Sequence, residues 1–122
     1  ESEEIEETWT LPFVAGTQFL DKPLIVLTSK ETFSGSEAFA FSLQMEKRAK
    51  ILGERTRGGA HTYREMWPSR DFLLLVPVGR AVHPNSQENW EGKGVIPDIP
   101  ASPDQALELA VKHLKEILLR NK

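Results

Sequence analysis

The chain has 122 residues, with 18 Asp and Glu against 15 Lys and Arg, a net charge of −3 and no cysteine. Apolar residues at 39% and charged residues at 27% are the ordinary balance of a globular domain. The absence of cysteine excludes disulfides, thiolate zinc sites and cysteine nucleophiles together, and His61, His83 and His113 are too widely spaced for one helix to hold zinc, so neither metal nor cofactor is expected.

Glu1, Glu3, Glu4, Glu6 and Glu7 crowd the opening, so residues 1–9 are expected to form an acidic, frayed segment. The remainder carries 13 acids against 15 bases, and Arg55, Arg57, Arg64 and Arg70 are dispersed along it; this is no nucleic-acid surface. No apolar run reaches the length of a bilayer span, and no basic start with an apolar middle marks a secretory leader. The chain starts without Met, which suggests a processed product or an excised fragment.

Residues 24–28 read as a short buried strand, and residues 37–46, free of Gly and Pro, as a helix. Between them lies Thr32-Phe33-Ser34-Gly35-Ser36-Glu37, which puts Ser34 at a helix N-terminus. Two readings of Ser34 follow. Ser34-Gly35-Ser36-Glu37 has the spacing of a capping box, with Glu37 as the partner that satisfies the first turn. The same unpaired N–H groups and helix dipole also suit a serine nucleophile and its oxyanion.

Residues 49–53 read as a second short strand, and residues 55–60 as a flexible turn whose paired glycines match no phosphate-binding fingerprint. Residues 72–78, continuously apolar, are the strongest strand pattern and imply burial on both faces, with Pro77 marking an edge or a strand end. A long polar loop, residues 83–94, follows. Ser102-Pro103-Asp104-Gln105 opens a last helix with a serine cap and proline at its first position. Leu107, Ala110, Val111, Leu114 and Leu118 would form its docking stripe, and Lys112 and His113 its solvated back. Strand, helix, strand, further strands and a terminal helix make an α/β domain.

Four segments in order carry a resemblance: Lys22 to Ala40 around Ser34; Gly53-Glu54-Arg55-Thr56 with Gly58-Gly59-Ala60-His61; Val76 to Ala81; and Asn89-Trp90-Glu91-Gly92-Lys93-Gly94-Val95-Ile96-Pro97-Asp98. Together they resemble the C-terminal processing, or tail-specific, serine peptidases, a family that includes the tricorn core protease and, as a non-peptidase relative, the interphotoreceptor retinoid-binding protein. The resemblance implies a crotonase- or ClpP-like spiral of strand–strand–helix units, of which residues 10–122 would be the C-terminal part.

It further implies that Ser34 is the nucleophile and that the Gly35 N–H is an oxyanion donor. One branch of the family places a catalytic lysine where this chain has Gly59, so the chain departs from that branch; Lys93 belongs to a later segment and is not that base. The other branch uses serine, histidine and glutamate, and its glutamate falls on Glu91. Its histidine would come from outside the chain, with His61 as the one local substitute. Trp90 is expected to anchor the loop on the core. The implied partner is an unfolded or C-terminal peptide segment; the location is left unknown, the cysteine-free composition fitting a bacterial periplasmic or extracytoplasmic protein. An apolar face would be met by a second chain or by the missing part of the domain. The alternative is a non-catalytic module that carries retinoid or fatty acid on the same fold.

Overall fold

A computed structural model describes residues 4–120. Three parallel strands form the central sheet: β1 (Ile25–Thr28), β2 (Lys50–Gly53) and β5 (Ile99–Pro100), in the order β1-β2-β5. Ile25 pairs with Lys50 and Thr28 with Gly53, while Leu52 pairs with Ile99. Parallel neighbours need a crossover, and α1 (Gly35–Met45) supplies it between β1 and β2. α2 (Pro103–Arg120) closes the chain.

Alternation along the strands divides the core into two layers. Val26 and Ile51 point to the side of α1, where they meet Ala38, Ala40, Phe41 and Met45 together with Ala60, Trp90 and Val95. Ile25 and Leu52 point to the other side and meet Ala106 and Ala110 of α2. The expected strands at 24–28 and 49–53 and both expected helices are therefore present, each within two residues of its anticipated bounds.

α1 stops where Lys47 turns left-handed at φ 54°. The Arg48 N–H then reaches the Leu43 carbonyl at 2.9 Å and the Lys47 N–H the Gln44 carbonyl at 3.0 Å, the Schellman closure of a helix end. Asp98 joins α1 to β2 by accepting from the Ile51 N–H at 2.8 Å, Lys50 Nζ at 3.1 Å and Gln44 Nε2 at 3.2 Å. Burial pushes the Asp98 carboxyl up, but these donors outweigh it and hold it below its usual value.

Several expectations need correction. β4 (Leu74–Arg80) is exposed along nearly its whole length; it pairs antiparallel with β3 (His61–Met66), a strand the sequence pattern did not suggest. The pair forms a two-stranded ribbon with a register irregularity at Thr62/Tyr63, so each strand is an edge, and Pro77 sits on one as expected. Ribbon residues lack a covering layer among the described residues, which is why a continuous apolar run is not buried here. The docking stripe of α2 is also rotated: Ala110 is buried and Leu114 half-buried as expected, but Ala106 is buried and His113 half-buried, whereas Leu107, Val111 and Leu118 are exposed. Small residues bring the helix close to β1 and β2, and the larger leucines project outward.

Of the acidic opening, residues 1–3 lie outside the described residues; residues 4–22 are exposed and form no regular element. No described helix is long and apolar enough to cross a membrane.

Candidate active site

Ser34 caps α1 with φ 54° and ψ −120°, a conformation that L-residues rarely adopt. Such a residue costs of order 1–3 kcal/mol and persists only where its surroundings impose it. Here the surroundings are visible: the Ser34 N–H donates to Glu37 Oε2 at 2.8 Å, and the Glu37 and Ala38 N–H groups both donate to the Ser34 carbonyl.

The expected capping box is present: the Glu37 carboxylate accepts the Ser34 N–H, and the Glu37 N–H faces the Ser34 side chain while donating to the Ser34 carbonyl at 2.9 Å. Ser34 is exposed at a sharp strand-to-helix turn. Ser36 donates to the Phe33 carbonyl, and no acceptor for the Gly35 N–H is found among the described residues. Gly35 and Ser36 border an open cleft of about 490 Å³, with Thr28, Thr32 and Phe39 on its other sides.

Residues 55–60 are not a loose turn but an extended segment held by two carboxylates. Glu37, fully buried, accepts from the Thr56 hydroxyl and from the Gly58 N–H at 2.6 Å through Oε1. Its Oε2 accepts from the Gly59 N–H at 2.9 Å beside that of Ser34. The paired glycines do cradle an anion, and it is the chain's own glutamate. Burial pushes the Glu37 carboxyl up, but the hydrogen bonds from Thr56, Gly59, Gly58 and Ser34 win and hold it below its ordinary value.

Glu91 takes the next two donors of the same segment: its Oε2 accepts from the Ala60 N–H at 2.6 Å and the His61 N–H at 3.0 Å. The Ala60 N–H is the main reason the Glu91 carboxyl stays below its ordinary value; desolvation and the neighbouring Glu37 oppose, while the His61 N–H and ring assist. Oε1 is left for another partner, and the nearest ring atom is His61 Nδ1 at 3.9 Å. No hydrogen bond joins that ring to Ser34 among the described residues.

Trp90 is the anchor expected of it: it is buried, its Nε1–H donates to the Gly59 carbonyl at 3.0 Å, and its ring lies 5.1 Å from that of Phe41. A Cβ at position 59 would meet the outer edge of the half-exposed Phe33 ring, which would have to move aside. Gly94 is constrained; with φ 69°, any Cβ would run into the Thr56 carbonyl. Lys93 is exposed, and its carbonyl accepts from Arg55 Nε.

The structure thus brings Ser34 and Glu91 to one segment, residues 58–61, with Glu37 as the link. Glu91 is not among the residues lining the cleft beside Gly35. The reach of Glu37 was missed in the sequence, where it reads only as a box partner. The available signals were the adjacent Gly58-Gly59 and the hydroxyl of Thr56, donors in want of an acceptor. Among the described residues, no three His, Asp or Glu side chains converge as a metal ion would require.

The family model of peptidase family S41 matches residues 2–101. The chloroplastic carboxyl-terminal-processing peptidase 1 of Arabidopsis thaliana is 34% identical over 82 residues, 66% of this chain; the chain spans only 16% of that relative's length. Among solved structures, the photosystem II D1 C-terminal processing protease aligns at 33% identity and TM-score 0.59 over 69% of this chain and 22% of its own. The tricorn protease aligns at TM-score 0.61 and 21% identity over 80% of this chain and 10% of its own, a likeness of fold alone.

Proposed function

The chain belongs to peptidase family S41, with the C-terminal processing proteases, and from that premise we propose that it is the nucleophile-bearing part of a serine peptidase. Ser34 Oγ attacks the carbonyl carbon of a peptide bond in an unfolded or C-terminal segment. Its proton passes to a histidine supplied from outside these residues, and the C–N bond breaks as that imidazolium returns the proton to the leaving amine. Water then hydrolyses the acyl ester on Ser34 by the same route in reverse order.

The Gly35 N–H stabilises the oxyanion of each tetrahedral intermediate. Glu91, ionised and held by two N–H groups through one oxygen, offers Oε1 to the Nδ1–H of that histidine and so orients it. The three-stranded sheet would then be one portion of a crotonase- or ClpP-like spiral, with the remaining units covering the exposed apolar side chains.

The observation that carries this reading is the exposed Ser34 in a strained strand-to-helix turn, beside a Gly35 N–H that has no acceptor among the described residues. Glycine rather than lysine at position 59 favours the serine–histidine–glutamate branch over the serine–lysine one. A retinoid or fatty-acid carrier would need an enclosed apolar cavity, and the cleft beside Gly35 is open and partly lined by hydroxyls.

In the full-length protein, labelling by a fluorophosphonate disappears with Ser34→Ala, and Glu91→Gln slows hydrolysis while the fold stays intact. Removing a triad serine costs about 10⁶ in kcat, so turnover without it should be very low. Peptide hydrolysis that survives Ser34→Ala unchanged would refute the assignment.

A further inference from the structure

Glu37 is a buried carboxylate that the proposed reaction does not consume. Both of its oxygens are saturated: Oε1 by the Thr56 hydroxyl and the Gly58 N–H, Oε2 by the Ser34 and Gly59 N–H groups. Four donors match the full acceptor capacity of an ionised carboxylate. A cap needs only one of them. The other three come from residues 56, 58 and 59, about twenty positions further along the chain.

Thr56 extends the connection. Its Oγ1, while donating to Glu37, accepts the Val95 N–H at 2.7 Å, four residues beyond Glu91. The Gly92 N–H in turn donates to the Gly58 carbonyl at 2.9 Å. One carboxylate therefore ties together the nucleophile turn, the 58–61 segment and the loop that bears Glu91.

We propose that Glu37 is the positioning residue of the site, setting the Ser34 turn in its strained conformation and in register with the segment that holds Glu91. The proposal rests on the peptidase reading of Ser34 and deepens it. Because Glu37 occupies the Ser34 N–H, the donor left at the turn is that of Gly35. Because it grips Gly58 and Gly59, the Ala60 and His61 N–H groups fall to Glu91. Glutamine is not an equivalent: its oxygen accepts from one side, but its amide hydrogens face donors on the other.

The test compares wild type, Ser34→Ala and Glu37→Gln in the full-length protein, with fluorophosphonate labelling and peptide hydrolysis counted per folded molecule. Glu37→Gln should lower kcat and the labelling rate about 100-fold, the cost of a misplacement near 1 Å, with KM held within about twofold. A mere fold-stabilising role would lower the melting temperature and the folded fraction but leave the rate per folded molecule at the wild-type value, and that result overturns the proposal.

Should Glu37→Gln not fold, Thr56→Val carries the test, since it removes one of the four donors. It should lower kcat about tenfold with KM unchanged, and Thr56→Ser, which keeps the hydroxyl, should restore most of the loss. Equal rates for Thr56→Val and wild type overturn the proposal. Labelling that persists in Ser34→Ala refutes the peptidase reading itself, and the role of Glu37 falls with it.

Discussion

β2 of the β1-β2-β5 sheet and β4 of the β3-β4 ribbon are comparable apolar strands with opposite fates. Ile51 and Leu52 of β2 are fully buried, whereas Leu74, Leu75 and Val78 of β4 are each at least half exposed. Hydropathy does not separate the two; coverage does. β2 lies between two strands and two helices, and each face of it meets a layer of side chains. Among the described residues the ribbon has one neighbour per strand and no layer over either face. Two-stranded ribbons bury too little to stand alone, so this one is the part of the molecule most open to a covering surface.

The sharpest contrast between the two regions lies in their tryptophans. Trp90→Ala should cost about 3–5 kcal/mol, since it empties the space against Phe41 and also releases the Gly59 carbonyl; urea unfolding measures it. A loss under 1 kcal/mol would mean that the sheet region is no better packed than the ribbon.

Acid should act on the sheet region next. Glu37 and Asp98 have carboxyls held below their ordinary values of 4.5 and 3.8. Groups of this kind contribute stability that is complete above the unfolded value and is lost as pH falls through the lower folded one. The urea midpoint should therefore drop between about pH 5 and pH 3, and drop less steeply in Asp98→Asn. A midpoint independent of pH in that window would remove the carboxylates from the account.

The smallest effect belongs to the ribbon. Trp67 is 63% exposed, and Trp67→Ala should change stability by no more than about 0.5 kcal/mol. A loss near that of Trp90 would show that the ribbon is covered in solution, and the contrast between the regions would close.

Much of the fold is legible in the residues themselves. The short apolar runs at 24–28 and 49–53, the Gly- and Pro-free stretch after Ser34 and the Ser102-Pro103 start all report local preferences, and the elements form there. β3 was illegible because His-Thr-Tyr-Arg-Glu-Met has no apolar alternation; only its pairing with β4 makes it a strand. The phase of α2 was misread for a related reason. Leucines suggested the docked face, but the sheet accepts the helix along Ala106 and Ala110, where backbones approach closely.

The site divides in the same way. A serine between a strand and a helix, with Gly35 beside it and Glu91 in a glycine-framed loop, is written in consecutive residues. That the Glu37 N–H is shared with the Ser34 carbonyl is not, because the choice depends on which acceptor that N–H finds. Local chemistry determined the turn and the identity of its groups, since those follow from neighbours along the chain. The tertiary structure alone decided the role of Glu37 and the exposure of the ribbon. A buried carboxylate is stable only where donors from distant residues converge on it, and an apolar strand is buried only where another layer arrives to cover it.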